Sequence, residues 1–175
     1  MAVEFIGESV AYKTRRFDVV EARMRIRGRT ITKPFIRHND IALVIPITDS
    51  GEIVLIRAYR PELRRYVLEL PSGTLKARES PARGAARELL EETGFVAGKM
   101  NHILSGYPML GYSDAKYHFF KATRLKRGEQ RLENDEDIEV AEVSQKHLLK
   151  LITNNKLDDI NIALALQHVD KNSRQ

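Results

Sequence analysis

Three glutamates, Glu88, Glu91 and Glu92, stand at i, i+3 and i+4 in the segment running from Gly73 to Phe95. On a helix that spacing puts all three side chains on one face, with Glu88 and Glu92 roughly 6 Å apart along the axis. Carboxylates that close repel one another unless water surrounds them or cations sit between them. Their hard oxygens suit Mg²⁺, with Mn²⁺ possible, ions that keep bound waters and also hold phosphate. An ordinary solvated face of an acidic helix has the same spacing. The five histidines, His38, His102, His118, His147 and His168, lie far apart and show no metal-binding spacing.

Several elements must position these residues. Ser80-Pro81 reads as a helix start, with serine to cap the free N–H groups and proline at a position that needs no donor. The helix stops at Gly94, which takes the left-handed conformation at low cost. Before it, Ile41–Ile47 and Ile53–Tyr59 read as buried strands, Tyr66–Leu70 as a short one, and Pro71-Ser72-Gly73 breaks the pattern. After it come strands near His102–Tyr107, Tyr117–Thr123 and Ile138–Val143. A helix capped by Ser144 follows, and a last one runs from Asp158 or Asp159 through Val169. Residues 3–37 read as strands with a hairpin turn at Arg27-Gly28-Arg29, and Pro34 is expected to end them. The fold class is α/β, divided into an N-terminal strand section over residues 1–37 and a main domain over residues 38–175.

The chain has 175 residues, 42% of them hydrophobic and 30% charged, enough to close a core and stay in solution. With no cysteine, disulfide scaffolds, thiolate metal sites and cysteine nucleophiles are excluded. No apolar run reaches membrane-spanning length, and the first residues lack a signal-peptide pattern, so a cytoplasmic location is expected. The net charge of +5 is unevenly spread: basic residues gather at Arg15–Arg29 and Arg57–Arg65, acids at Glu88–Glu92 and Glu129–Glu142. Separate zones of opposite sign suit a site where metal ions meet a polyanion.

The spacing decides between the two readings of the glutamates. Gly73, five residues, Glu79, seven residues, then Arg87-Glu88-Leu89-x-Glu91-Glu92-x-Gly94-Phe95 matches the Nudix box at every specified position. A chance match in a chain this long is on the order of one in a million or less. The chain is identified as a member of the Nudix hydrolases. The resemblance implies a loop–helix–loop within an α/β/α sandwich and Mg²⁺-dependent hydrolysis of a nucleoside diphosphate linked to another group. Carried over by position, Glu88, Glu91 and Glu92 would be metal ligands, together with the Ser72 carbonyl. Gly73, Glu79, Arg87 and Gly94 would be structural, with Arg87 pairing to Glu79 across the loop.

Outside the box the chain resembles ADP-ribose pyrophosphatases and related nucleoside diphosphate sugar hydrolases. The stretches are Ile53-Val-Leu-Ile-Arg-Ala-Tyr-Arg-Pro, Val67-Leu-Glu-Leu-Pro-Ser-Gly, Gly111-Tyr-Ser-Asp and Asp135-Glu-Asp-Ile-Glu-Val. This implies phosphate or ribose contacts at Arg60, with Arg57 and Tyr59 as further substrate-binding candidates, although each arginine also reads as one member of a basic surface run. Glu69 could support the metal shell or be solvated. Tyr12 and Phe35 are expected to pack in the core rather than stack on a base. Related enzymes take the catalytic base from an acidic loop, which makes Glu136 the first candidate here and Glu133 the second. A homodimer built through residues 1–37 is expected, with a nucleotide sugar as substrate, no membrane partner and no nucleic acid partner. GDP-mannose preference, RNA 5′-end processing and a non-catalytic nucleotide-binding role are the alternatives. Leu110 stands where ADP-ribose-specific members carry proline, so a broad sugar preference is expected.

Overall fold

The computed structural model describes residues 3–134 and 136–168. Asp135, and Val169 at the expected end of the last helix, lie outside the described residues. The chain divides into two compact units: residues up to Ile41 together with Ser105–Tyr117, and Ala42–Leu104 together with His118 onward.

In the first unit, β1 (Val3–Lys13), β2 (Asp18–Ile26) and β3 (Arg29–Arg37) form an antiparallel meander in that order. Arg27 and Gly28 join β2 to β3 with φ of 51° and 77°, the two positive values that a two-residue hairpin turn of the right twist needs. Pro34 does not end the strands; it sits inside β3 opposite Glu21. Two residues on, the Ile36 N–H donates to the Tyr112 carbonyl at 2.7 Å, on the edge of β3 away from β2. Pro34 turns its missing donor to that same edge, so no bond to β2 is lost. On β1, Val3, Phe5 and Val10 are 61%, 61% and 50% exposed, and the register sets Phe5 beside Met24 and Val10 beside Val20. Tyr12 is not a core residue: it is 65% exposed. Leu110 is exposed on a turn closed by the Tyr112 and Ser113 N–H groups, both donating to the Met109 carbonyl at 3.0 Å.

The rest of the chain supplies β4 (Ile41–Pro46), β5 (Ile53–Arg60), β6 (Arg65–Glu69), β7 (Ser72–Thr74), α1 (Pro81–Thr93), β8 (Phe95–Gly106), β9 (Tyr117–Arg127), β10 (Ile138–Val143), α2 (Gln145–Thr153) and α3 (Ile160–Ala165). One sheet has the order β7-β4-β9-β8, the other β10-β5-β6. The near-continuous apolar runs of β4 and β5 are buried along most of their length, as strands covered on both faces must be. α1 packs Ala85 and Leu89 against Ala42, Val44, Val54, Phe120 and Ala122. α2 and α3 bury Leu148, Ile162 and Ala165. The architecture is mixed α/β with an antiparallel N-terminal strand section, as expected.

The ends of α1 fall where the sequence places them, although Ser80 does not cap with its side chain. Pro81 removes one donor, and the Arg83 N–H, which a serine hydroxyl would take, is already bonded to the Ser80 carbonyl at 3.0 Å. At the other end Gly94 has φ 69° and donates its N–H to the Leu90 carbonyl at 2.9 Å. The loop before α1 is tied to it by Arg87. Its Nε and Nη2 donate to the two oxygens of Glu79, each at 2.9 Å, and Nη2 also reaches the Thr74 carbonyl at 3.2 Å. Glu79 accepts the Lys76 N–H as well, at 2.9 Å. A bidentate guanidinium pair of this kind is short and directional, so it sets the loop at one height on the helix.

The Arg87 hydrogen bonds hold the Glu79 carboxyl at about 2, well below its ordinary 4.5. A depressed carboxylate stabilises the fold above its unfolded pKa and loses that contribution as pH falls through its folded pKa. The Glu79→Gln variant should therefore unfold at a lower temperature than the parent at neutral pH. The gap should close between pH 4.5 and about 2. Thermal melts followed by circular dichroism check this, and a gap unchanged down to pH 2 contradicts it.

Candidate active site

The helical face that α1 turns toward β7 carries the carboxylates. Glu88 and Glu92 are only 7% and 4% exposed, which removes the solvated-face reading for both. Burial drives the Glu92 carboxyl up to about 9; the Glu88 and Glu136 charges push the same way, while the Ser72 N–H and Arg60 oppose them. Glu88 is also raised, first by burial and then by the Glu91 and Glu136 charges, against Arg87. The Ser72 N–H donates to Glu92 Oε2 at 2.8 Å and fixes that side chain beneath β7. Gly73 lies against Glu88 so closely that a Cβ on it would stand 2.0 Å from Glu88 Oε1. Any side chain there would displace the carboxylate, which gives the glycine of the box a steric reason.

Arg87 has a second role beyond the loop brace. Its Nη1 donates to Glu88 Oε1 at 2.5 Å and to Glu91 Oε2 at 2.9 Å. Glu88 and Glu91 are thus drawn to one guanidinium, and among the described residues no three acidic or histidine side chains converge as a ready-made metal cluster. One positive charge serves three carboxylates here, Glu79, Glu88 and Glu91, and Glu92 receives none of it directly.

The three substrate-binding candidates on β5 do not gather. Arg60 shares a strand face with Ile56 and Ala58, while Arg57 and Tyr59 point to the other. Arg60 makes a two-pronged pair with Glu69, Nε to Oε1 at 2.7 Å and Nη2 to Oε2 at 2.5 Å. The Glu69 bond is the main cause that raises Arg60, and Glu92 contributes, so this guanidinium stands within electrostatic reach of the acidic face. Arg57 pairs with Glu139 at 3.1 Å and lies 4.9 Å from the Tyr66 ring centroid, and Tyr59 meets Tyr66 edge-on at 5.4 Å. These two belong to an exposed arginine–tyrosine group, which Asp137 completes by accepting the Tyr66 hydroxyl.

Of the two candidate bases, Glu136 is close enough for its charge to be felt at both Glu88 and Glu92. Glu133 is joined to it: the Glu133 N–H donates to Glu136 Oε2 at 2.8 Å, and the Glu136 N–H donates to the Glu133 carbonyl at 3.1 Å. Two features of this region escape a reading of the sequence. The Arg60–Glu69 pair depends on the β5–β6 register, which sets Glu69 opposite Ile56, and no local pattern announces that register. The other is the second contact of Asp159: besides starting and capping α3 at Asn161, as the sequence allows, it accepts the Leu70 N–H at 3.2 Å beside the β6–β7 connection.

The model of the NUDIX domain family matches residues 37–163. Over 144 residues the chain is 35% identical to the ADP-ribose pyrophosphatase of Bacillus subtilis (strain 168), covering 81% of this chain and 78% of that protein. It is 31% identical over 144 residues to the methanol dehydrogenase activator of Bacillus methanolicus, with the same shares covered. A crystal structure of an ADP compounds hydrolase superposes with a TM-score of 0.82 over 95% of this chain and 91% of that one; at 21% identity it speaks for the fold. With the box filled at each position and the helix, loop and acidic face arranged around it, the chain belongs to the Nudix family, as a pyrophosphohydrolase.

Proposed function

We propose that this enzyme hydrolyses the pyrophosphate link of nucleoside diphosphate sugars, ADP-ribose among them, giving a nucleoside monophosphate and a sugar phosphate. The observation that carries the reading is the pair of buried carboxylates, Glu88 and Glu92, whose charged forms burial disfavours against the opposing contacts of Arg87, the Ser72 N–H and Arg60. Nudix hydrolases generally use divalent metals, and these residues fit one. The donors are hard oxygens, and Arg87 already stands between Glu88 and Glu91 where a positive charge is wanted. Glu88, Glu91, Glu92 and the Ser72 carbonyl would hold Mg²⁺, or Mn²⁺. Held there, such an ion would supply positive charge that draws electron density from the pyrophosphate oxygens and would lower the pKa of a water.

The chain's own groups supply the rest. The Ser72 N–H orients Glu92, and the Glu79–Arg87 pair holds the loop so that Gly73 leaves room for Glu88. Arg60 offers a guanidinium near Glu92 to a phosphate oxygen, in exchange for part of its pairing with Glu69. Glu136 accepts the proton of the attacking water; the water oxygen bonds to one phosphorus, and the bridging oxygen leaves with the other phosphate. The name of the Bacillus subtilis relative supports ADP-ribose as a substrate. The assembly is a homodimer, in which a second copy covers the apolar side of β1 at Val3, Phe5 and Val10.

Three outcomes follow from this reading. Glu92→Gln should keep the fold, since glutamine is nearly isosteric, and should lose at least about a hundredfold in turnover, roughly 2.7 kcal/mol of barrier. Near-normal Mg²⁺-dependent turnover in that variant would remove Glu92 from the ligand set. With ADP-ribose, ADP-glucose, GDP-mannose and UDP-glucose assayed side by side, kcat/KM values should fall within about tenfold of each other, or roughly 1.4 kcal/mol. That breadth is expected because Leu110 lacks the ring that would restrict the loop before Gly111. A thousandfold preference contradicts it. Light scattering at micromolar concentration should give twice the 20.0 kDa chain mass, and deletion of the first 37 residues should lower solubility and activity. A monodisperse, active monomer would rule out the dimer.

A further inference from the structure

An α-helix ends in carbonyls that have no partner within it. At the C-terminus of α1 these are met by the chain leaving β9. The Arg131 N–H donates to the Glu91 carbonyl at 2.9 Å, and the Gly128 N–H donates to the Gly94 carbonyl at 2.6 Å. Between them, Gln130 Nε2 donates to the Glu92 carbonyl at 2.7 Å. The approach is close: a Cβ on Gly94 would stand 3.1 Å from the Gln130 nitrogen, and a Cβ on Gly128 would stand 3.1 Å from Leu90 Cδ1. Glycine at both places lets helix end and loop meet.

The residues whose carbonyls are held, Glu91 and Glu92, also carry two of the acidic side chains of the site. The segment that holds them leads to Glu133 and Glu136. Its far end is fixed by β10, which pairs with β5, and by the Tyr66 hydroxyl on Asp137. On the α1 side, Gln130 adds a side-chain bond to the two backbone bonds of Gly128 and Arg131. We infer that Gln130 is a positioning residue for the reaction: by donating to the Glu92 carbonyl it registers the loop that carries Glu136 against the helical turn that carries Glu91 and Glu92. The end of the helix has partial negative charge, so a neutral amide donor suits this place and a carboxylate does not. The inference rests on the reading of Glu136 as the proton acceptor.

A plain helix cap would affect stability alone. A positioning role affects turnover and leaves substrate and metal binding in place. Gln130→Glu keeps the shape and exchanges the donor for an acceptor. It should lower kcat by about tenfold or more, because a base displaced by a fraction of an ångström acts poorly. KM, and the Mn²⁺ dissociation constant measured by electron paramagnetic resonance, should stay within about threefold of the parent. Gln130→Lys, which retains a donor, should recover most of the loss; Gln130→Ala, which removes the donor without adding a charge, should show the same selective loss of kcat and takes the place of Gln130→Glu should that variant fold poorly. In a Glu136→Gln background, Gln130→Glu should cost less than about twofold more, since the group it misplaces is already disabled.

Gln130→Glu with unchanged kcat, or a Mn²⁺ affinity that falls in step with kcat, overturns the inference. So does an equal loss of kcat in both backgrounds when Glu136→Gln is itself impaired. Glu136→Gln with parental kcat overturns the assignment of the base instead, and with it the route by which Gln130 would act.

Discussion

Two carboxylates buried four residues apart on one helix, with a third beside them, set the terms for everything around them. Glu88 and Glu92 are almost without solvent, and burial makes their charged forms costly. A core designed only for stability would not place them there. The surroundings can be read as responses to that constraint. Ser72 turns an N–H onto Glu92, Gly73 gives up a side chain so that Glu88 fits, and Arg87 spreads one positive charge over three glutamates. In the proposed function, that shortage of positive charge is what a divalent ion and, through it, a pyrophosphate would answer.

The constraint also explains how the helix is held. α1 buries Ala85 and Leu89 in the apolar core, and its polar face is fixed by the loop just before it and, at its end, by a part of the chain distant in sequence. At its beginning the loop is locked by the Glu79–Arg87 pair. At its end the carbonyls of Glu91 and Glu92 are taken by residues 130 and 131. A face of like charges tolerates little movement, because displacement of one carboxylate alters the field at the others. Attachment at both ends is consistent with that need.

Much of this was legible in the residues themselves. The box spacing, the start of α1 at Ser80-Pro81 and its stop at Gly94 are local signals, and the structure places the helix at Pro81–Thr93. The pairing of Arg87 with Glu79, implied by family resemblance, is present with both prongs formed. What was not legible depends on how separate strands align. Glu69 meets Arg60 only because β6 pairs with β5 in one register. Pro34 is tolerated because its missing donor faces an edge rather than β2, and that edge is not visible from the residue type. Ser80 looked like a side-chain cap, but its own carbonyl had already taken the donor. Gln130 carried no motif at all; its role emerges from the helix end it touches.

The central claim is that Glu88, Glu91 and Glu92 form a divalent-cation site. The most direct measurement is anomalous diffraction from crystals soaked in Mn²⁺. The account predicts an anomalous peak bounded by the Glu88, Glu91 and Glu92 carboxylates, with Arg87 withdrawn from at least one of them. A peak confined to other residues, or none at millimolar Mn²⁺ with Arg87 still bonded to Glu88 and Glu91, would contradict it.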